Sequence, residues 1–279
     1  MRKPASTERD RENRNATAEA FSLPRQDDLA DEPARAARQA RVALEALLAD
    51  APSAAAGLPA GFSDAIERYV ALLLEANQRT NLTRLTQPDA VARLHLLDAL
   101  SALALLDATP GRAVDLGSGG GVPAIPLALA RPGRRWTLVD PVGKKADALR
   151  AICERLGLTG VMVLAKRAEV IGRDPAHRER YGLVTARACA PLPVLVELAL
   201  PLLRLGGSLV AWKGPLTTGD EEWTRGQAAA RQLGGGEARL IEPGLTALGG
   251  HRFVVIGKER ATDRRFPRRA GEPTQRPLA

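Results

Sequence analysis

The residues best suited to chemistry in this 279-residue chain gather around one stretch, Ala113-Val-Asp-Leu-Gly-Ser-Gly-Gly-Gly-Val122. Gly117, Gly119 and Gly121 follow a short apolar run and precede an apolar, helix-like segment from Ala124 to Ala130. Without a Cβ, such glycines let the backbone turn tightly and approach a ligand closely. A dinucleotide fingerprint asks for glycine at the sixth position, where Val122 stands, so a pyrophosphate is a poor match. Asp115 puts a carboxylate two residues before Gly117, and a cationic ligand suits it better. S-adenosylmethionine carries a sulfonium and an ammonium group, and its own carboxylate can use free N–H groups at the start of the following helix. Asp140 lies 23 positions after Gly117, at the end of the next apolar run. A carboxylate there can accept hydrogen bonds from ribose hydroxyls, in a nicotinamide site as well as in a methyl-donor site. Glu169, behind Arg167-Ala168, reads equally as a contact to an adenine edge or as a surface charge.

Other candidates follow from position. Arg187 ends an apolar strand where it meets either an RNA phosphate or base, or an acidic loop partner. Lys144 and Lys145 open a helix, an unfavourable place for cations that points to an anionic partner or a solvated face, and Lys213 resembles them. His95 and Asp98 stand at i and i+3, a spacing that lets them meet and brace their helix over the pocket, or leaves His95 for RNA. His177 and His251 have no metal-ligand spacing, so no metal is expected. Cys153 and Cys189 are too few for a disulfide framework or a four-cysteine zinc site, and Cys189, between alanines, reads as a small buried hydrophobe.

The elements that must hold these residues alternate. Helical spacing runs from about Arg35 to Asp50, with Val42, Leu44, Leu47 and Leu48 on one side. Ser63 reads as the cap of a second helix, and Gln87-Pro88-Asp89 opens a long third helix through Leu103. Strands are then expected at 113–114, 136–139, 161–164, 183–186, 208–212 and 253–256, separated by helices at 124–130, 144–156 and 192–203. This order predicts a mostly parallel, doubly wound α/β sheet, with ligands at the carboxyl ends of its strands.

Composition narrows the function classes. With 45% hydrophobic residues the chain can bury a core, and with 3% aromatics it has few rings for stacking bases. No apolar stretch reaches membrane length, and residues 1–10 lack a signal peptide's apolar segment, so a cytoplasmic protein is expected. Net charge is +8, which suggests a polyanionic partner. Residues 1–35 are nearly neutral, whereas the segment from Gly257 onward holds seven basic and three acidic residues. Arg264, Arg265, Arg268 and Arg269 cluster there as a solvated tail or as an RNA backbone contact.

These residues carry a specific resemblance. The glycine loop continued by Val122-Pro-Ala-Ile-Pro-Leu127, and Leu138-Val-Asp-Pro-Val-Gly-Lys-Lys145, are similar to the bacterial small-subunit ribosomal RNA guanine-N7 methyltransferase family, also called glucose-inhibited division protein B. Asn81-Leu-Thr83, His95-Leu-Leu-Asp98, Arg167-Ala-Glu169, Ala186-Arg-Ala-Cys-Ala-Pro191, Trp212-Lys-Gly214 and Phe266-Pro-Arg-Arg-Ala-Gly-Glu-Pro273 extend it from about residue 62 to the end. The resemblance implies a Rossmann-like class I methyltransferase with a seven-stranded sheet, an antiparallel last strand and an N-terminal helical subdomain. It implies S-adenosyl-L-methionine as donor and a guanine of 16S ribosomal RNA, naked or in the 30S subunit or its precursor, as acceptor. By similarity, Gly117 and Val122 line the methionine end, while Asp140, Pro141 and Val142 hold the ribose and flank adenine. Ala168 and Glu169 approach the adenine, and Arg187 lies at the pocket's mouth. The expected organisation is a flexible leader (1–34), a helical cap (35–109), the methyltransferase domain (110–258) and a basic tail (259–279), acting as a monomer.

Guanine N7 has an exposed lone pair and needs no deprotonation, so alignment suffices. The chain accordingly lacks an Asp/Asn-Pro-Pro-aromatic motif for amino-group methylation and a Pro-Cys nucleophile for pyrimidine carbon. A methyltransferase for a small molecule or protein would need the same loop but no arginine cluster, and an oxidoreductase is disfavoured by Val122.

Overall fold

A computed structural model describes residues 31–278, and the greater part of the expected leader lies outside them. Helix α1 (Asp31–Ala49) begins four residues earlier than expected, with Pro33 tolerated in its first turn. Its buried stripe is Pro33, Ala37, Ala40 and Leu44, and Val42 is exposed. Small alanines, easily overlooked beside leucines, form the contact face. Helix α2 (Phe62–Asn77) is capped by Gly61 at φ 76° rather than by Ser63, and buries nine residues from Phe62 to Leu74. The third helix is not one regular rod. Pro88–Val91 runs into a π-helical turn at Ala92–Leu97, then Asp98–Leu100. These residues 88–100 are α3, and α4 (Leu103–Asp107) follows.

The sheet has seven strands in the order β3-β2-β1-β4-β5-β7-β6. They are β1 (Ala113–Leu116), β2 (Trp136–Val139), β3 (Val161–Leu164), β4 (Tyr181–Arg187), β5 (Leu203–Lys213), β6 (Arg239–Ile241) and β7 (Arg252–Gly257). The first five are parallel, and β7 runs antiparallel to β5 and β6. The expected α/β class and antiparallel last strand are present. The short β6 was not legible, because its three residues carry too little alternation. Helices α5 (Ala124–Ala130), α6 (Gly143–Arg155), α7 (Ala168–Arg173), α8 (Leu192–Ala199), α9 (Glu221–Gln232) and α10 (Glu272–Gln275) follow, and a single helical turn at Pro52–Ala55 joins α1 to α2.

Two apolar layers cover the sheet. One joins α1, α2, α3, α5 and α6 to Ala113, Trp136, Leu138 and Leu183. The other joins α8 and α9 to Val114, Leu116, Val184 and Ala186. Alternation along β1 and β4 therefore sends Asp115 and Thr185, which are register partners, to the α2 side. Connections diverge on either side of β1, with β2 next to it on one side and β4 on the other. The crevice at that switch point is where an open sheet accepts ligands.

The C-terminal residues are not a free tail. Phe266 is buried in the second layer, and Arg178 donates to the carbonyls of Phe266 (2.6 Å) and Thr262 (2.7 Å). Arg268 forks onto Glu197, with Nε–Oε1 2.9 Å and Nη2–Oε2 2.6 Å, and its backbone N–H also donates to Oε1 at 2.8 Å. Glu197 is 0% exposed, so this arginine serves a buried carboxylate and not RNA. Removing one partner of a buried pair strands the other charge. Arg268→Ala should lower unfolding free energy by about 3 kcal/mol, while Arg268→Met with Glu197→Leu should cost far less. Urea denaturation checks this, and equal losses in the two variants would contradict it.

Candidate functional site

Strand β1 ends against β2 through the glycine loop itself. The N–H groups of Gly117 and Ser118 donate to the Val139 carbonyl at 2.9 and 3.1 Å, and Ser118 Oγ accepts from Val139 N–H while donating to the Asp115 carbonyl. The chain can turn there because Gly117, Gly119 and Gly121 take φ of 71°, 51° and 94°. At Gly117 a Cβ would lie 3.1 Å from Cys189 Sγ, and at Gly121 2.5 Å from Ile125. Two supports then fix the loop. Asp140 accepts from Gly119 N–H (3.0 Å) through Oδ2 and from Val142 N–H (2.9 Å) through Oδ1. Tyr69 of α2, fully buried, donates its hydroxyl to the Gly120 carbonyl at 2.9 Å. The helical cap is thus part of the site.

Asp115 is 1% exposed. Its Oδ1 accepts from Thr185 Oγ1 at 2.6 Å, but Oδ2 has no partner among the described residues. Burial raises its pKa to about 6, against the opposing pull of the Thr185 and Ser118 hydrogen bonds. A buried carboxylate oxygen left bare beside a glycine bend is a place for a cation. Asp140 keeps lone pairs beyond the two it uses, since a carboxylate offers about four acceptor positions. Pro141 and Val142 beside it are exposed, Val142 at 40%, and offer an apolar surface at the mouth. Val122, at the end of the loop, is 8% exposed.

The remaining expected site residues are held by partners within the chain. Glu169 is buried, and its Oε1 accepts from Gly271 N–H at 2.8 Å, so its side chain anchors the C-terminal segment. The first N–H groups of α7, on Ala168 and Glu169, have no helical acceptors and remain available. Arg187 is pinned to α3. It donates to the Leu94 carbonyl at 2.6 Å and to His95 Nδ1 at 3.0 Å, and lies 3.4 Å from Asp98 Oδ2. His95 and Asp98 do not meet each other, as was expected from their spacing; both meet Arg187. The π-helical turn separates their side chains from the regular i, i+3 relation. His95 Nε2 sits 2.7 Å from Thr83 Oγ1. Because Arg187 can only donate, Nδ1 must accept and Nε2 carries the proton. Burial, reinforced by the Arg187 charge, lowers the His95 pKa to about 4, so the ring is neutral. Lys213 bonds the Ala190 carbonyl (3.0 Å) and Glu222 (2.5 Å). Lys144 stays exposed at the start of α6.

Beside the loop opens a cleft of about 470 Å³ whose lining includes Leu94, Asp98, Arg187, Cys189, Trp212 and His251. Cys189 is exposed, not a buried hydrophobe, and links this cleft to Gly117. Ala188 before it takes φ 51°, the left-handed region that a non-glycine residue rarely occupies. Sequence reasoning weighed His251 only as a metal ligand and missed its partner: Nδ1 lies 3.0 Å from Asp98 Oδ1, and no local spacing joins residues so far apart in the chain. No group of three metal-ligating side chains occurs among the described residues, and no described helix is long and apolar enough to cross a membrane.

The family model for rRNA small subunit methyltransferase G (GidB) matches residues 63–238. The chain belongs to this family. It is 44% identical to ribosomal RNA small subunit methyltransferase G of Rubrobacter xylanophilus over 218 residues, 76% of this chain and 82% of that one. The Chloroflexus aggregans protein of the same name is 46% identical over 76% of this chain and 88% of its own. That of Deinococcus deserti is 44% identical over 77% and 88%. The family match includes the loop, Asp115, Asp140, Arg187 and Lys213, and ends before His251 and the C-terminal anchor.

Because Asp115 takes up a proton near pH 6, acidification removes the charge that a ligand cation would meet. Affinity for S-adenosylmethionine should fall as pH drops through about 6, by up to about tenfold per unit. Asp115→Asn should bind weakly at every pH and lose this slope. Calorimetry between about pH 7 and 5 checks it, and a flat wild-type profile removes Asp115 from the donor site.

Proposed function

We propose that the chain transfers the methyl group of S-adenosyl-L-methionine to N7 of a guanine in 16S ribosomal RNA. The observation that carries this reading is the buried, half-satisfied Asp115 carboxylate at the glycine bend, in a member of the small-subunit RNA methyltransferase G family. S-adenosylmethionine supplies a methyl group activated by a positively charged sulfur. Asp115 would meet the ligand's ammonium, with Gly117 and Val122 beside the methionine end. Asp140 would bond the ribose hydroxyls with its spare lone pairs while still holding Gly119 and Val142. Pro141 and Val142 would flank adenine, and the N–H groups of Ala168 and Glu169 would serve its edge. The Glu169 side chain and the Arg187 guanidinium would act through the elements they anchor.

On the acceptor side, N7 attacks with its own lone pair, so the protein's task is to align it with the methyl carbon. The cleft beside Cys189 is the space next to the donor loop where a base taken out of its stack would be held. Three exposed arginines, Arg264, Arg265 and Arg269, together with the net charge of +8, support a polyanionic acceptor over a small molecule or a protein. Small-subunit ribosomal RNA, naked or within the 30S subunit or its precursor, met in the cytoplasm by a monomer, is the substrate this reading covers.

The test is incubation with labelled S-adenosylmethionine and small subunits lacking the modification. The expected result is N7-methylguanine at one position, and label on an exocyclic amine, or on no RNA at all, overturns the proposal. Replacing Arg264, Arg265 and Arg269 with Ala should reduce the slope of log K against log salt for RNA by about two. Donor affinity should stay unchanged. An unaltered salt slope would remove these arginines from the RNA-binding surface.

A further inference from the structure

We infer that His251, oriented by Asp98, selects guanine in the acceptor cleft by accepting a hydrogen bond from its Watson–Crick edge; this rests on the acceptor reading above. Adenine and guanine both present N7, so the methylated atom cannot tell them apart, and discrimination must come from elsewhere on the ring. Guanine offers donors at N1 and at its 2-amino group, whereas adenine N1 bears a lone pair. A lone pair fixed on the cleft wall therefore attracts one base and repels the other.

His251 supplies that lone pair. Its Nδ1 lies 3.0 Å from Asp98 Oδ1, a distance a carboxylate shares only with an N–H, so Nδ1 carries the proton. In the neutral ring Nε2 is then an acceptor, and it has no partner among the described residues. Asp98 is itself held. Its side chain is 2% exposed, Oδ2 faces Arg187 at 3.4 Å, and its backbone carbonyl accepts from Trp212 Nε1 at 3.1 Å. The residue that sets the tautomer is thus buried and fixed, while His251, with its side chain 36% exposed, borders the cleft. Cys189 lines the same cleft and also lies against Gly117, so the donor loop and the His251 acceptor border one space.

The contact also serves the rate. As N7 gains its methyl group, positive charge spreads over the purine and makes N1–H a stronger donor. A hydrogen bond to His251 Nε2 therefore strengthens towards the transition state, which is the condition for catalysis by binding. His251 is a specificity-determining residue that touches the substrate, and Asp98 is the positioning residue behind it.

The experiment compares methyl transfer to small-subunit RNA carrying guanine or adenine at the target position, with donor affinity measured in parallel. His251→Ala should lower kcat/KM on guanine by about 10–100-fold, raise the adenine rate by relieving the lone-pair repulsion, and keep donor affinity within twofold. His251→Gln, which restores an acceptor oxygen, should recover much of the loss. In Asp98→Asn, Arg187 would hold the amide oxygen and turn its NH₂ towards His251. That would invert the tautomer, so guanine activity should fall while the adenine rate rises. A His251→Ala protein that retains guanine activity within twofold overturns the assignment. So does one that loses activity on both bases together with donor affinity, since that marks a structural role. Wild-type protein that binds the donor but methylates no guanine refutes the proposed function itself, a result distinct from either variant's failure.

Discussion

Burying a carboxylate at the end of a central strand is costly unless its oxygens find partners, and the fold gives the Thr185 hydroxyl of the adjacent strand to Asp115 Oδ1 while leaving Oδ2 without a partner among the described residues. The sheet register puts these two side chains on the same face, and the turn at Gly117 keeps the chain from covering the second oxygen with a side chain. Much of what surrounds the site follows from that arrangement. The loop needs left-handed glycines to leave the space open. It needs Asp140 and Tyr69 to hold it, because a glycine-rich segment gains little from packing. It also needs Ser118 to tie β1 to β2 so that the crevice does not splay.

The helical cap is joined to this crevice by hydrogen bonds as well as by apolar contact. Asn77 at the end of α2 accepts from Leu82 and Thr83 N–H at 2.8 and 2.9 Å, shaping the connection that follows. Thr83 meets His95, His95 accepts from Arg187, and Arg187 ends the strand beside Thr185. A neutral His95 is required at the centre of this chain, since a protonated ring would face the guanidinium with an N–H. Its depressed pKa is the electrostatic expression of that geometry. Arg187, which sequence position offers either to RNA or to an acidic partner, and Lys213, offered to an anionic partner or to solvent, are largely engaged in holding the walls of the cleft, whereas Arg264, Arg265 and Arg269 near the C-terminus are exposed.

The α/β order, the loop and Asp140 were legible because each is a local signal: an apolar run, a glycine spacing, an acid at a strand end. Asp115 was legible as chemistry, since a carboxylate before the loop disfavours a pyrophosphate, although only the structure shows one oxygen to be bare. What stayed hidden depends on distant partners. Nothing near Arg268 reveals that Glu197 is buried and needs a cation. Nothing near Glu169 reveals that the returning chain offers it the Gly271 N–H. The spacing of His95 and Asp98 suggested a direct pair because it presumes a regular helix, and the π-helical turn breaks that presumption. Val42 and Cys189 were misread for a related reason: burial is decided by which face a neighbour covers, and apolarity alone does not fix it.

The acceptor cleft carries this point furthest. Its walls come from the connection before α3, from α3, the end of β4 and the turn after it, α8, the end of β5 and the loop before β7, so no contiguous motif encodes it. Donor-side residues cluster in sequence because one βαβ unit supplies the bend and the next strand end supplies the acid. A cleft assembled from several separate segments can vary at one wall without disturbing the donor loop, provided Asp98 and Arg187 keep the walls in register. Conserving a donor while changing an acceptor is what a fold needs if one cofactor site is to serve many substrates. Here the two halves meet at Cys189 and Gly117, a contact that no side chain larger than hydrogen at position 117 would permit without displacing the sulfur.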